Sequence, residues 1–315
     1  MSEWCKNRFE ITGKSICIDL LQQWITGQDV PHYRHAIQQS IQLFLAGCGG
    51  LLKPVRTTTY PPFPELVKHG LGAPTPANQA FEQWLGLLLR DKPLNAETIK
   101  TIDRLYHQSG LGAVEWENIP EPARGSIADL LIRQHADWFS MVSITGKVDP
   151  ADSWKSLRIY HERAQPCDMI LVIPTRLSAE LNGNSSLLIG KSTTSSLYSR
   201  LYGIEWPAGH SVNWQRQALN SLTLNFDSPW YPPSGELIGE ISALFECEIR
   251  HTYSEPVNGI YGYDCYDSGE HVDGHKGLPP VREEEEQSVR EAQSSAGQVF
   301  YLVNPDIHSY QEVRG

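Results

Sequence analysis

Positive charge, paired cysteines and long apolar runs are all scarce in this chain of 315 residues. Lys and Arg number 26 against 37 acidic residues, a formal net charge of -11. Phosphate neutralisation needs a basic patch, so this balance disfavours a dedicated nucleic-acid binder while leaving a local patch open. Mimicry of DNA would need dense acidic stripes. The one dense run lies at 283–286 in a polar tail and reads as a solvated segment. The six Cys residues stand at 5, 17, 48, 167, 247 and 265 with no CxxC pair. Cys17 and Cys247 fall on apolar faces of predicted elements, where a small buried thiol is the default. No apolar run approaches the roughly 18 residues that a membrane span requires. The first residues, MSEWCKNR, hold no apolar signal-peptide segment. The expectation is a reduced, soluble, cytoplasmic protein without membrane association.

Recognisable catalytic motifs are missing too. There is no G-x-S-x-G elbow, no H-E-x-x-H pair and no G-x-G-x-x-G loop. Triads are spatial rather than sequential, so catalysis stays possible, but the balance moves toward a binding protein. No cofactor and no metal are expected.

What is present is a strong pattern at the two ends. Residues 4–11 alternate, with Cys5, Phe9 and Ile11 on one side and Lys6, Arg8 and Glu10 on the other. Ser15 is placed as the cap of a helix carrying Cys17, Leu20, Leu21 and Trp24, which Gly27 closes. Near the other end, 221–266 reads strand, helix, strand, strand. Leu222, Leu224 and Phe226 alternate; the 227–233 turn stops them; Ser234 opens an amphipathic helix. Cys247, Ile249, His251 and Tyr253 resume the alternation, and 260–266 returns after a Pro256 to Gly259 turn. Between the ends, apolar stripes predict four helices, near Pro31, after Thr75, after Asn95 and from about Pro122. Short apolar runs at 169–173 and 201–206 are strand candidates.

These patterns predict an α+β protein: a ferredoxin-like antiparallel sheet with helices on one face, plus a helical insertion. The expected divisions are 1–27 for the first strand and helix, 28–150 for the insertion, 151–275 for the rest of the ferredoxin-like unit and 276–315 for a polar tail. In that tail Val299 begins a lone apolar run.

Three segments, WCKNRFEITG at 4–13, LTLNFDSPWYPP at 222–233 and YSEPVNG at 253–259, resemble the YubB-like proteins. That family is carried by enterobacterial conjugative plasmids and prophages, and the resemblance spans most of 1–275. It implies a C-terminal ferredoxin-like domain and a mobile-element setting inside a bacterial cell. It supplies no catalytic residue to carry over.

Candidate chemistry is sparse. Gly-Lys-Ser at 190–192 invites a phosphate-loop reading, but six residues separate Gly183 from Gly190 where that loop needs four. A Ser/Gly-rich surface loop is preferred. His271 and His275, with Cys265 and Asp273, make half of a zinc site with no second pair nearby, so a solvated turn is preferred. His251 sits on an apolar strand face and is read as a core histidine rather than a base. Glu115 and Glu117 alternate along a possible strand without a cleft. The candidate partner-binding surface comprises Lys6, Arg8, Arg250, Glu255, Tyr261 and Tyr263. Its expected partner is a host protein, with interference in a host defence system as the first version to test; single-stranded nucleic acid, or a nucleotide at Lys191, are the alternatives.

Overall fold

The computed structural model describes residues 4–139 and 148–277. The chain opens with β1 (Trp4–Gly13) and α1 (Ser15–Ile25). A long helical excursion follows: α2 (His32–Cys48), α3 (Pro76–Leu89), α4 (Ala96–Ser109), α5 (Glu121–Arg133), α6 (His135–Phe139), α7 (Pro150–Ser156), α8 (Leu177–Asn182) and α9 (Thr194–Tyr202). The chain then returns through β2 (His210–Ala218), β3 (Ser221–Pro229), α10 (Gly235–Leu244), β4 (Cys247–Glu255), β5 (Ile260–Asp267) and β6 (Glu270–Lys276).

The six strands lie in the order β2-β3-β1-β4-β5-β6, every neighbouring pair antiparallel. β1, α1, β2, β3, α10 and β4 make the ferredoxin-like unit, with β3 and β1 at its centre. β5 and β6 extend the sheet beyond β4 as a meander.

Register explains the core. Phe9 pairs with Leu224 on one side and His251 on the other, and Ile11 with Leu222 and Ile249. Paired residues share a face, so one apolar row crosses three strands. Phe9 meets Phe226 edge to face at 5.2 Å. Ile18, Leu21 and Ile25 of α1 and Leu237, Ile238 and Ile241 of α10 are buried in the same core. Burying each such side chain contributes about 1.5–3 kcal/mol before entropy is subtracted.

The helices begin where short polar side chains satisfy free amides. Thr75, Asn95 and Ser234 accept from the backbone N–H groups of Asn78, Thr98 and Leu237. Ser15 does not cap α1; it is the first helical residue, and the preceding Lys14 makes no side-chain cap. In α2, residues 40–48 are all buried, and Gly47 is required by close packing. A Cβ there would sit 2.6 Å from the Phe81 ring and 2.8 Å from Leu66.

Several expectations differ from the fold. Residues 169–173 hold a 3-10 turn at Met169–Leu171, and 201–206 contain the end of α9 and a loop, not strands. A short apolar run has no periodicity to separate a strand from a buried turn. Glu115 and Glu117 flank a 3-10 turn at Trp116–Asn118 rather than lying in a strand. Helices continue past residue 150 through α7, α8 and α9, and the sheet resumes only at His210. The polar tail expected at 276–315, with its acidic and apolar runs, lies outside the described residues from 278 onward.

Candidate functional site

Among the described residues nothing covers the centre of the outer face of the sheet. Along β1 the exposed positions are Lys6, Arg8, Glu10 and Thr12, and along β4 they include Glu248 and Arg250. The described helices therefore leave this face open at the centre of the sheet. Lys6 Nζ lies 2.8 Å from Asp227, and Arg8 pairs with Glu10 at 3.1 Å. The Arg250 guanidinium stands 4.8 Å over the Tyr263 ring, whose hydroxyl donates to Asp273 at 3.2 Å. Tyr261 pairs with Ser254 in register and belongs to the same face. Glu255 does not: it is buried, and its carboxylate accepts the Val257 and Asn258 amides at 2.9 and 2.7 Å. It fastens the β4–β5 turn. By register the face holds the cations Lys6, Arg8 and Arg250 against the carboxylates Glu10, Asp227, Glu248, Asp267, Glu270 and Asp273.

Directly beneath lies a buried polar network. Asn7 donates to Ser228 Oγ at 2.8 Å, and Asn7 Oδ1 lies 3.0 Å from His251 Nε2. Ser228 Oγ donates to the Tyr231 carbonyl at 2.6 Å. Cys5 lies on the same face of β1. Cysteine, histidine and asparagine together invite a nucleophilic reading, and the electrostatics oppose it. Burial first, then the Glu255 charge, push the Cys5 thiol up to about 12, while burial lowers the His251 imidazole to about 3. A thiolate–imidazolium nucleophile needs shifts of the opposite sign. His251 is a core histidine.

A second buried network ties the helical excursion together. Tyr33 Oη donates to Asp168 at 2.7 Å, and Arg34 Nε donates to Tyr33 Oη at 3.3 Å. Tyr198 Oη donates to Glu180 at 2.7 Å, and Thr175 donates to the same oxygen. Trp24 of α1 donates its indole N–H to the Asp168 carbonyl at 2.8 Å. Burial raises both carboxyls above their usual range, against the hydroxyl hydrogen bonds and Arg34 that favour the anions. Burial also works against the Arg34 charge, but Tyr33, Asp168 and Tyr198 more than restore it. Sequence reasoning missed this cluster because its members are scattered from 33 to 198. No local spacing announces it.

Several amides of the loop that leads to Gly-Lys-Ser are engaged within the protein. Asn184 and Ser185 donate their N–H groups to the Asp137 carboxylate at 2.9 and 3.1 Å, and Leu188 donates to Asn182. An internal carboxylate thus occupies amides that a phosphate would need. His271 hydrogen-bonds Asp264 at 3.1 Å across the β5–β6 hairpin. Among the described residues no three His, Cys, Asp or Glu side chains converge as metal ligands would.

Residues 30–206 match the family model described as a protein of unknown function, DUF1281, and residues 209–294 match the ferredoxin-like domain in Api92-like protein. The junction of the two matches falls just before β2. Two proteins of Escherichia coli K12 are similar. YubA is 36% identical over 138 residues, covering 44% of this chain and 82% of YubA. YubB is 36% identical over 109 residues, covering 34% of this chain and 75% of YubB. Both carry the description "uncharacterized protein". The crystal structure of api92 from Yersinia pseudotuberculosis is 59% identical with a TM-score of 0.85, covering 89% of this chain and all of that one.

Proposed function

The chain belongs to the DUF1281 family, and from that premise we infer that it is a non-enzymatic binding protein whose outer sheet face takes a protein partner. The observation that carries the reading is the exposure of β1 and β4 on their outer side while ten helices among the described residues pack elsewhere. Charge selects the partner class. By register the face carries six carboxylates and three cations, and two of those cations are paired with its own acids. A phosphate backbone meets repulsion there, whereas a mixed polar protein surface with surplus Lys or Arg finds complementary charge. The strongly shifted groups support the same reading, since Cys5, His251, Asp168 and Glu180 each sit inside the scaffold. In the mobile-element setting that the resemblance implies, the partner is a host protein, and interference with a host defence system is the version to test first.

The test is affinity capture from host lysate with the full chain as bait, with and without nuclease. A discrete protein retained after nuclease treatment is the expected result. Capture that vanishes with nuclease would replace this reading with a nucleic-acid one.

A further inference from the structure

A cavity of about 620 Å³ opens at the end of the sheet where β3 and β4 finish, on a wall formed by Tyr231, Tyr253, Tyr261, Ile260 and Lys276. Its size is that of a small-ligand site. The chemistry of the wall is unlike the rest of this acidic molecule. Tyr231, Tyr253 and Ile260 supply apolar surface, Tyr261 adjoins them in the lining, Lys276 supplies one ammonium, and among the described residues no carboxylate lines the cavity. Among the described residues Lys276 joins no ion pair.

The wall is built rather than incidental. Trp230 adopts φ 65°, a left-handed conformation that costs a bulky residue on the order of 1–3 kcal/mol. The strained turn is braced from below, because Asn7 donates to Ser228 and Ser228 to the Tyr231 carbonyl. The Tyr253 side chain reaches across to β5, its hydroxyl over Gly262. Position 262 must be glycine to allow this, since a Cβ there would stand 2.5 Å from the Tyr253 hydroxyl. Gly inside a strand often marks such close approach.

We propose that this cavity binds a mononucleotide, its base against the tyrosine rings and its phosphate on Lys276. Aromatic rings stack on any base, and lysine is a good point charge for phosphate. The site lies away from the Gly-Lys-Ser loop, where Asp137 holds the Asn184 and Ser185 amides. It shares Tyr261 with the outer face, while Tyr231 and Lys276 belong to the cavity alone.

Calorimetric titration of the full chain with adenosine 5′-monophosphate, adenosine and inorganic phosphate tests it. The monophosphate is expected to bind at least tenfold tighter than either fragment. Lys276→Ala and Tyr231→Ala, both at exposed positions, are each expected to weaken it at least fivefold. Lys191→Ala and Arg8→Glu leave it unchanged. Absence of monophosphate binding, affinity no better than that of the fragments, or Lys276→Ala and Tyr231→Ala proteins that bind like the parent would each overturn the proposal. Loss on Lys191→Ala would do the same by moving the site to the other loop.

Discussion

The two sides of β1 differ in what their residues are for. On the inner side Cys5, Asn7, Phe9 and Ile11 are all buried and locked to β3 and β4 by packing or hydrogen bonds. On the outer side Lys6, Arg8 and Glu10 are exposed, and among the described residues Lys6 pairs with Asp227 and Arg8 with Glu10. Ten residues of one strand thus carry both a scaffold and a surface. The lesson is that stability and recognition can be separated by parity alone, one residue apart in the chain.

The largest blow to that contrast comes from the inner side. Phe9→Ala removes a ring packed against Phe226 and His251 and is expected to cost about 3–5 kcal/mol in denaturant unfolding. A loss below about 1 kcal/mol would mean the inner face is not the core described.

A smaller effect, of definite sign, concerns His251. Its folded value near 3 lies below the unfolded 6.5, so the unfolded chain binds the proton first as pH falls. Stability is fully present above about pH 6.5 and is lost progressively toward pH 3. Between pH 7 and 5 the His251→Gln protein should lose about 2 kcal/mol less than the parent. Equal losses in both would refute a neutral buried histidine. Asp168 and Glu180 act in the other direction, because their raised values make the folded state hold protons that the unfolded state releases as pH rises. The two buried networks therefore oppose each other in pH, which is why the comparison is made against the His251 variant and not read from the parent alone.

The smallest effect belongs to the outer side. Arg8→Ala removes a solvent-exposed pair with Glu10 and should change stability by no more than about 0.5 kcal/mol. A cost like that of Phe9→Ala would erase the distinction between the faces.

The alternation that defines these faces is legible in the sequence for β1, β3, β4 and β5, since each has one face against the core. The two outlying strands are not. In β6 every residue is exposed, and in β2 none is fully buried, so neither shows an apolar side to read. The caps at Thr75, Asn95 and Ser234 were readable because a short polar residue precedes each apolar stripe. Of the candidate surface, Lys6, Arg8, Arg250, Tyr261 and Tyr263 share the outer face as parity predicts. Glu255 stands at the inward parity of β4 with His251 and Tyr253, and its carboxylate holds two amides of the next turn. The cavity at the sheet end escaped notice because it draws on the 230–233 turn, β4, β5 and β6 together, which only the folded sheet brings side by side.

The account's central claim is that the outer face is the working surface. The most direct measurement compares nuclease-treated capture by the parent with that by a Glu10→Arg, Glu248→Arg double variant, which reverses the charge that the partner is read to complement. Both side chains are exposed, so the variant is expected to unfold like the parent while retaining at least tenfold less of the captured protein. Undiminished capture by the folded variant would contradict the claim.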